Sequence, residues 1–508
     1  MSASREKKKR FEERSEGTEK RQVRAKDTQK TQKRKKLITA IVAVVIVVLL
    51  VVAVVFNSNL FYTGVAAVRV GSEKYTAADF NYEYFNNYYN TYSNLYNTYG
   101  SYVSMFLDTN TPLKDQMYSD TQTWDEYFEE QAFDQLQQIT ILNDMADADG
   151  FSLDAAQLAE INQNIEDIKT SAANAGYTDY RAYIRAMYGK GITEDRLRTL
   201  LEKSYRATYY SRDLGDRWMA EYTEEAMADY YDTVRNDYDL ISYMYYFVDG
   251  SADEESGLDA DTALAQAYDI AQEIASARDQ VTFADAVYRY APEDQKASYE
   301  DEDACLRRLV SAGSISALYK DWLTDAGRIS GDTTVIEGTG GYYVILFLER
   351  NGNDYRLANF RGITIAVGVD ETTGEVTQET RDAAQELVDS IIEAYNEDPT
   401  EENFALLADR YDESGDNLEG GLMENVVMGQ LSSLEVEDYV FDDATKVGEV
   451  QTVYEDGFYY ITYPMERGEK YDLFIAKNLM VEEQYNSAIE SAREDYPVST
   501  TFAFSFAK

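Results

Sequence analysis

The sequence predicts an α+β protein preceded by one membrane-spanning helix. Three observations carry this prediction. A charge-free apolar run lies near the N-terminus, a long stretch of helical periodicity follows it, and a β-α-α…β-β order of elements then occurs twice. With 508 residues, about three folded units are expected at roughly 150 residues per domain.

Composition narrows the chemistry before any motif does. The chain has no histidine and one cysteine. The first fact excludes Ser-His-Asp and Cys-His triads, imidazole bases and His-ligated zinc. The second excludes internal disulfides and Cys-paired metal motifs. Cys305, in an acidic stretch, reads as a small core residue rather than a reactive thiol. No metal or cofactor is expected. Asp412-x-Ser414-x-Asp416 begins like a calcium loop, but Asn417 stands where the loop needs glycine and Met423 where it needs glutamate. Walker, GxSxG and dinucleotide fingerprints are missing from the sequence. The many carboxylates offer glycosidase-like pairs, but nothing singles one out.

Charge is unevenly placed. Residues 1–36 carry a net +9 and the remaining residues a net −55. Between tail and exterior lies Leu37–Phe56, twenty residues without a charge, enough to cross about 30 Å of hydrocarbon as a helix. Lys33–Lys36 precede it and no basic residue follows in 57–63, so the positive-inside rule places the N-terminus in the cytoplasm and the bulk outside. A cleaved signal has an apolar core of about 7–15 residues, so this run reads as a retained anchor. An acidic exterior repels phosphate, and no nucleic-acid partner is expected.

After the anchor, residues 65–80 read as a strand, a turn at Gly71-Ser72 and a helix capped by Thr76. Phe85, Tyr88, Tyr89, Tyr92, Tyr96 and Tyr99 then recur at spacings of three and four, one helical face. That stripe reads either as core or as a groove for unfolded polypeptide, for which tyrosine offers a flat apolar body with a polar tip. Further helices are predicted over 124–150, 152–176, 193–218 and 223–236. At Leu240 the period changes to two. Residues 241–248 form a strand, 259–277 and 283–290 helices, and TTVIE with 341–349 a hairpin. The order returns with a strand at 360–367, helices at 377–395 and 402–411, and a hairpin around Asp456-Gly457. A last helix (473–496) and an alternating strand (VSTTFAFSF) close the chain.

The second copy resembles the parvulin (PpiC-type) peptidyl-prolyl isomerases. The resemblance lies in FALLADRYDES (404–414), Gly420-Gly421, Gly429-Gln430-Leu431, VEDYVF (436–441), Gly448-Glu449-Val450 and GFYYI (457–461). The first copy is a more worn version, in FADAVYRY (283–290), GRISG (327–331) and GYYVI (341–345). Residues 65–236, opening with VGSEKYTAADF, together with the last helix, resemble the helical domain of PrsA- and SurA-type foldases. Charge and hydropathy give a basic tail at 1–36 and a span at 37–56; the resemblance implies domains at 57–237 (helical, chaperone-like), 238–352 and 353–470 (degenerate parvulin-like), and 471–508 returning onto the helical domain.

The departures bear on activity. The family pairs two histidines, and the corresponding positions here are Gly362 and Tyr459, or Tyr243 and Tyr343 in the first copy. Ser414 stands at the family's cysteine or aspartate. Rotation about a prolyl bond faces a barrier of about 18–20 kcal/mol and breaks no covalent bond, so histidine loss does not forbid it. The resemblance implies Ser414 and Tyr459 as catalytic positions. Its substrate contacts would be Leu431, Val436, Phe441 and Gln430, with Tyr88, Tyr92 and Tyr96 holding clients. The function read from this is a membrane-anchored extracytoplasmic foldase for unfolded or proline-containing polypeptides. The alternative is an inert surface scaffold for one partner.

Overall fold

The computed structural model describes residues 7, 8, 10, 36, 37, 39–49, 59–252, 258–370 and 374–508. Residues 39–49 are helical, with their large apolar side chains exposed. The predicted span 37–56 lies partly outside the described residues, at 38 and 50–56. Among the described residues no helix is long and apolar enough to cross a membrane.

Helix and sheet are both present, in two compact units: residues 1–217 with 484–508, and residues 218–483. The first unit opens with a hairpin, β1 (Ala66–Val70) and β2 (Glu73–Thr76). A third strand, β11 (Val498–Thr500), pairs antiparallel with β1, Val68 opposite Thr500. Thr76 and Asp79 form a reciprocal capping box that starts helix α1 (Ala77–Tyr99). Thr123 and Glu126 do the same for α2 (Trp124–Asp149). Helices α3 (Ala155–Asn174), α4 (Tyr180–Tyr188) and α5 (Glu194–Met219) complete the unit.

Helix α1 lies between two cores. Phe80 and Tyr84 pack with Val68, Trp124, Phe128 and Leu136. Tyr82, on another face, joins Ile161, Ile165, Ile184 and Leu197. Each fully buried apolar side chain contributes about 1.5–3 kcal/mol, so α1 is the organising element. The expected C-terminal strand is shorter than its alternation suggests. After Thr500 the chain turns into a 3₁₀ segment, Phe502–Phe506, whose first turn is capped by Thr501. Phe504 then meets Phe80 edge-on at 4.9 Å, so core packing overrides the two-residue period.

The second unit begins with α6 (Glu224–Tyr238). The first repeat contains β3 (Leu240–Asp249), α7 (Ala260–Ile274), α8 (Gln280–Tyr290), β4 (Leu306–Ser311), α9 (Ala317–Leu323), β5 (Thr333–Gly338) and β6 (Gly341–Asn351). The second contains β7 (Ala358–Ala366), α10 (Gln378–Glu397), α11 (Glu401–Tyr411), β8 (Leu422–Val426), α12 (Leu434–Phe441), β9 (Gln451–Glu455) and β10 (Phe458–Pro464). The two antiparallel sheets have the same order, β4-β3-β6-β5 and β8-β7-β10-β9. In each, two helices cover one face and a short helix the other. The internal repeat is therefore architectural. Helix α13 (Tyr471–Arg493) follows. Its Ile475 and Ala476 pack on Met227 and Tyr231 of α6, while residues from 484 belong to the first unit.

Cys305 is buried against the core of the first repeat. Burial pushes its thiol up to about 11, so it stays protonated at neutral pH and inert.

Candidate functional site

The site follows from strand alternation in the second repeat. Successive side chains point to opposite faces. Ile363, Ile365, Tyr459, Ile461 and Tyr463 therefore face α10 and α11, where Val388, Ile391 and Phe404 cover them. Phe360, Met423, Val453 and Tyr460 face the other way, toward Val436 and Val440 of α12. A cavity of about 130 Å³ remains on this second face. Its apolar wall includes Phe360, Met423, Leu431, Val436 and Tyr460, with Ile363 and Ile461 at the sheet; Gly362, Thr364, Ser432, Ser433, Thr462 and Asp416 also line it. It is small beside the roughly 300–1,000 Å³ of drug-sized sites, and it suits one apolar side chain or ring.

Glycine keeps this region compact. Gly421 has φ +64°, and a Cβ there would lie 2.2 Å from the carbonyl oxygen of Gly362. The Gly420-Gly421 pair thus lets the chain entering β8 press against β7. Ser433 caps α12, accepting from the Val436 amide at 3.2 Å, while its hydroxyl donates to Glu455. The cap fixes Val436 beside Leu431.

The sequence-derived residues divide. Leu431 and Val436 line the cavity together. Tyr459 is on the opposite face, its ring 4.8 Å from that of Tyr454. The expectation of a pocket role for Tyr459 is corrected on this geometry: in β10 the side chains aimed at the cavity are Tyr460 and Thr462. Ser414 is exposed; its hydroxyl donates to Asp412 and accepts from the Asp416 amide at 3.2 Å. It closes a turn, and Asp416 is the loop residue at the cavity. Gln430 is exposed and accepts from the Val427 amide at 3.3 Å, bracing its own loop. Phe441 ends α12 edge-on to Tyr355 at 5.4 Å, away from the cavity lining.

The corresponding face of the first repeat is filled from within. Tyr243, Tyr245, Tyr319 and Tyr343 lie with ring centroids 5.8–6.1 Å apart. Burial raises the Tyr319 hydroxyl to about 12, so that hydroxyl stays protonated at physiological pH, and the Arg307 guanidinium lies over the Tyr245 ring at 5.5 Å.

In the helical unit the aromatic stripe changes character along α1. Tyr88 is half-buried and edge-on to Phe128 at 5.7 Å, and Tyr92 packs beside it. Tyr96, Tyr99, Tyr102, Met105 and Phe106 are exposed, with Tyr102 at 68% and Met105 at 77%. Tyr99 stacks on Phe106 at 4.5 Å. The Phe106 carbonyl accepts from the Trp124 indole at 2.9 Å, and Trp124 lies 4.8 Å from exposed Tyr118. The end of α1 and the segment after it thus leave several aromatic side chains and Met105 exposed within a few residues of one another, and an exposed apolar patch marks an interaction site.

Sequence reasoning missed Phe360, Met423, Asp416, Tyr460 and Thr462. The available signal was the two-residue period of β10: once Ile461 is assigned to the core, its neighbours must face away.

No family model matches the chain, and no curated protein does. Solved structures of PrsA proteins align with it at low score. The Bacillus cereus peptidylprolyl isomerase PrsA is 12% identical, with 64% of this chain and 97% of that one covered and a TM-score of 0.23. The foldase PrsA of Streptococcus pneumoniae is 16% identical over 57% and 89%, with a TM-score of 0.19. The Bacillus anthracis PrsA is 9% identical over 43% and 78%, also at 0.19. These scores lend no weight to fold or activity here; the two sheet orders and the cavity stand on their own geometry.

Proposed function

We propose that the chain is a membrane-anchored extracytoplasmic foldase that holds unfolded polypeptides. Residues 37–56 serve as the anchor, residues 1–36 as the cytoplasmic tail, and the rest faces outward. The observation that carries this reading is the exposed run Tyr96, Tyr99, Tyr102, Met105 and Phe106. Tyrosine and methionine suit a surface that accepts many sequences. The ring loses little entropy on contact, and the thioether adapts to irregular partners. An acidic exterior adds long-range repulsion between copies, which keeps loaded molecules apart.

The cavity beside Leu431 and Val436 supports a second activity, prolyl isomerisation. An apolar socket desolvates the imide and grips the ring, and neither task needs a proton donor. Ser433, Thr462 and Thr364 supply hydroxyls around the socket. The test is a protease-coupled proline tetrapeptide assay: acceleration lost in Val436→Asp supports the socket, and a rate that Val436→Asp leaves unchanged discards it. Client holding is tested separately by the aggregation of an unfolded protein. The filled tyrosine face of the first repeat favours a non-catalytic role for that repeat.

A further inference from the structure

We propose that Arg308, in the first repeat, is a positioning residue for the cavity of the second. The inference rests on reading that cavity as a proline socket, and it gives the tyrosine-filled repeat a task.

The cavity wall at Leu431 belongs to a loop, 427–432, without regular secondary structure. Three contacts hold that loop from outside. The Met428 amide donates to the Tyr355 hydroxyl at 3.1 Å, and the Asn351 amide group donates to the Met428 sulfur at 3.6 Å. The Gly429 amide donates to Glu437 Oε2 at 2.7 Å. Glu437 is only 2% exposed, and its other oxygen accepts from Arg308 Nη1 at 2.9 Å. Arg308 also reaches Asp438 at 3.6 Å. A carboxylate so deeply buried is sustained by a partner charge. Arg308 therefore holds the Glu437 carboxylate in place, one oxygen on the guanidinium and the other aimed at the loop.

The first repeat is shaped to make this contact. Beside Arg308, Leu309 has φ +48°, a conformation costing about 1–2 kcal/mol for an L-residue. Its amide donates to Ser242 Oγ at 3.1 Å. The β3–β4 register shifts between Ile241 and Tyr243, a bulge of the kind that re-aims a side chain. Leu309 then lies under Gly429, where a Cβ would sit 3.4 Å from the Leu309 Cβ; Gly429 itself has φ +84°. Bulge, left-handed leucine and ion pair converge on one loop.

The experiment uses the full-length chain in detergent micelles, with hydrogen–deuterium exchange read on peptides covering 425–433. Arg308→Met is expected to speed exchange there at least tenfold while β9 and β10 are unchanged. Arg308→Lys, which keeps the charge but loses the fork, is expected to fall between. In the proline tetrapeptide assay Arg308→Met raises KM about tenfold with kcat within twofold. If Arg308→Met does not fold, Arg308→Met/Glu437→Gln carries the test, since it leaves no unpaired buried charge and still lacks the clamp. Loop exchange within twofold of wild type, or a rise spread evenly over the second repeat, overturns the proposal. Wild-type protein that does not accelerate isomerisation, in a chain whose loop exchange still responds to Arg308→Met, discards the isomerase reading and leaves the clamp standing.

Discussion

Thr462 stands directly opposite Gly362 across the β7–β10 pair, and both line the same cavity. At that cross-strand position the wall is a hydroxyl facing a bare backbone, so size and apolar contact define this part of the socket. The room at Gly362 is measurable: a Cβ there would meet one atom within 4 Å, Phe360 Cε2 at 3.8 Å. Gly362→Leu is therefore expected to fold normally and fill the socket. Affinity for a proline tetrapeptide, followed by isothermal titration, should fall at least tenfold, with the melting temperature nearly unchanged.

The helical unit depends on one buried carboxylate. Asp79 is 3% exposed; it accepts from Arg196 Nε at 2.6 Å and from the Thr76 amide at 2.7 Å. Removing the cation strands the charge. Arg196→Met should cost about 3 kcal/mol, the lower end for a broken buried pair because Arg196 keeps partial solvent access. Urea unfolding checks this, and Arg196→Met/Asp79→Asn should recover much of the loss.

Glu83 makes the same unit sensitive to pH. Burial first, and then the nearby Asp79 charge, push its carboxyl up to about 8. The folded state therefore holds a proton that the unfolded chain releases above about pH 4.5. Stability contributed by this group is full below that value and falls as pH rises toward 8, by up to roughly 1.4 kcal/mol per pH unit. Glu83→Gln should remove the slope: its stability relative to wild type rises between pH 5 and pH 8 in paired urea titrations. A difference that does not change with pH would contradict a buried, protonated Glu83.

Tyr102 and Met105 protrude without supporting the core. Tyr102→Ser/Met105→Ser should change unfolding free energy by less than about 1 kcal/mol, as surface substitutions do. The same double variant should lose at least half of the capacity to hold an unfolded client, measured by light scattering at fixed excess.

Much of this architecture was written in local patterns. Thr76 announced its helix because the hydroxyl needs only the amide three residues on. The central strands β3, β6, β7 and β10 alternate or run apolar and were legible for that reason. Edge strands β4 (LRRLVS) and β8 (LMENV) were not, since one flank is solvated and their sequences carry no clean period. Tyr459 illustrates the harder case. A motif match fixed its neighbourhood, but whether it or Tyr460 meets the socket depends on a one-residue register that only packing decides. The Arg308–Glu437 pair was invisible, because nothing local links residues 129 apart.

Residues 57–508 are proposed to hold unfolded polypeptide. The most direct measurement is light scattering of a chemically unfolded protein diluted into full-length chain in lipid nanodiscs, against empty nanodiscs. Aggregation should be suppressed at several-fold excess, and less so with Tyr102→Ser/Met105→Ser. Aggregation equal to that with empty nanodiscs would contradict it.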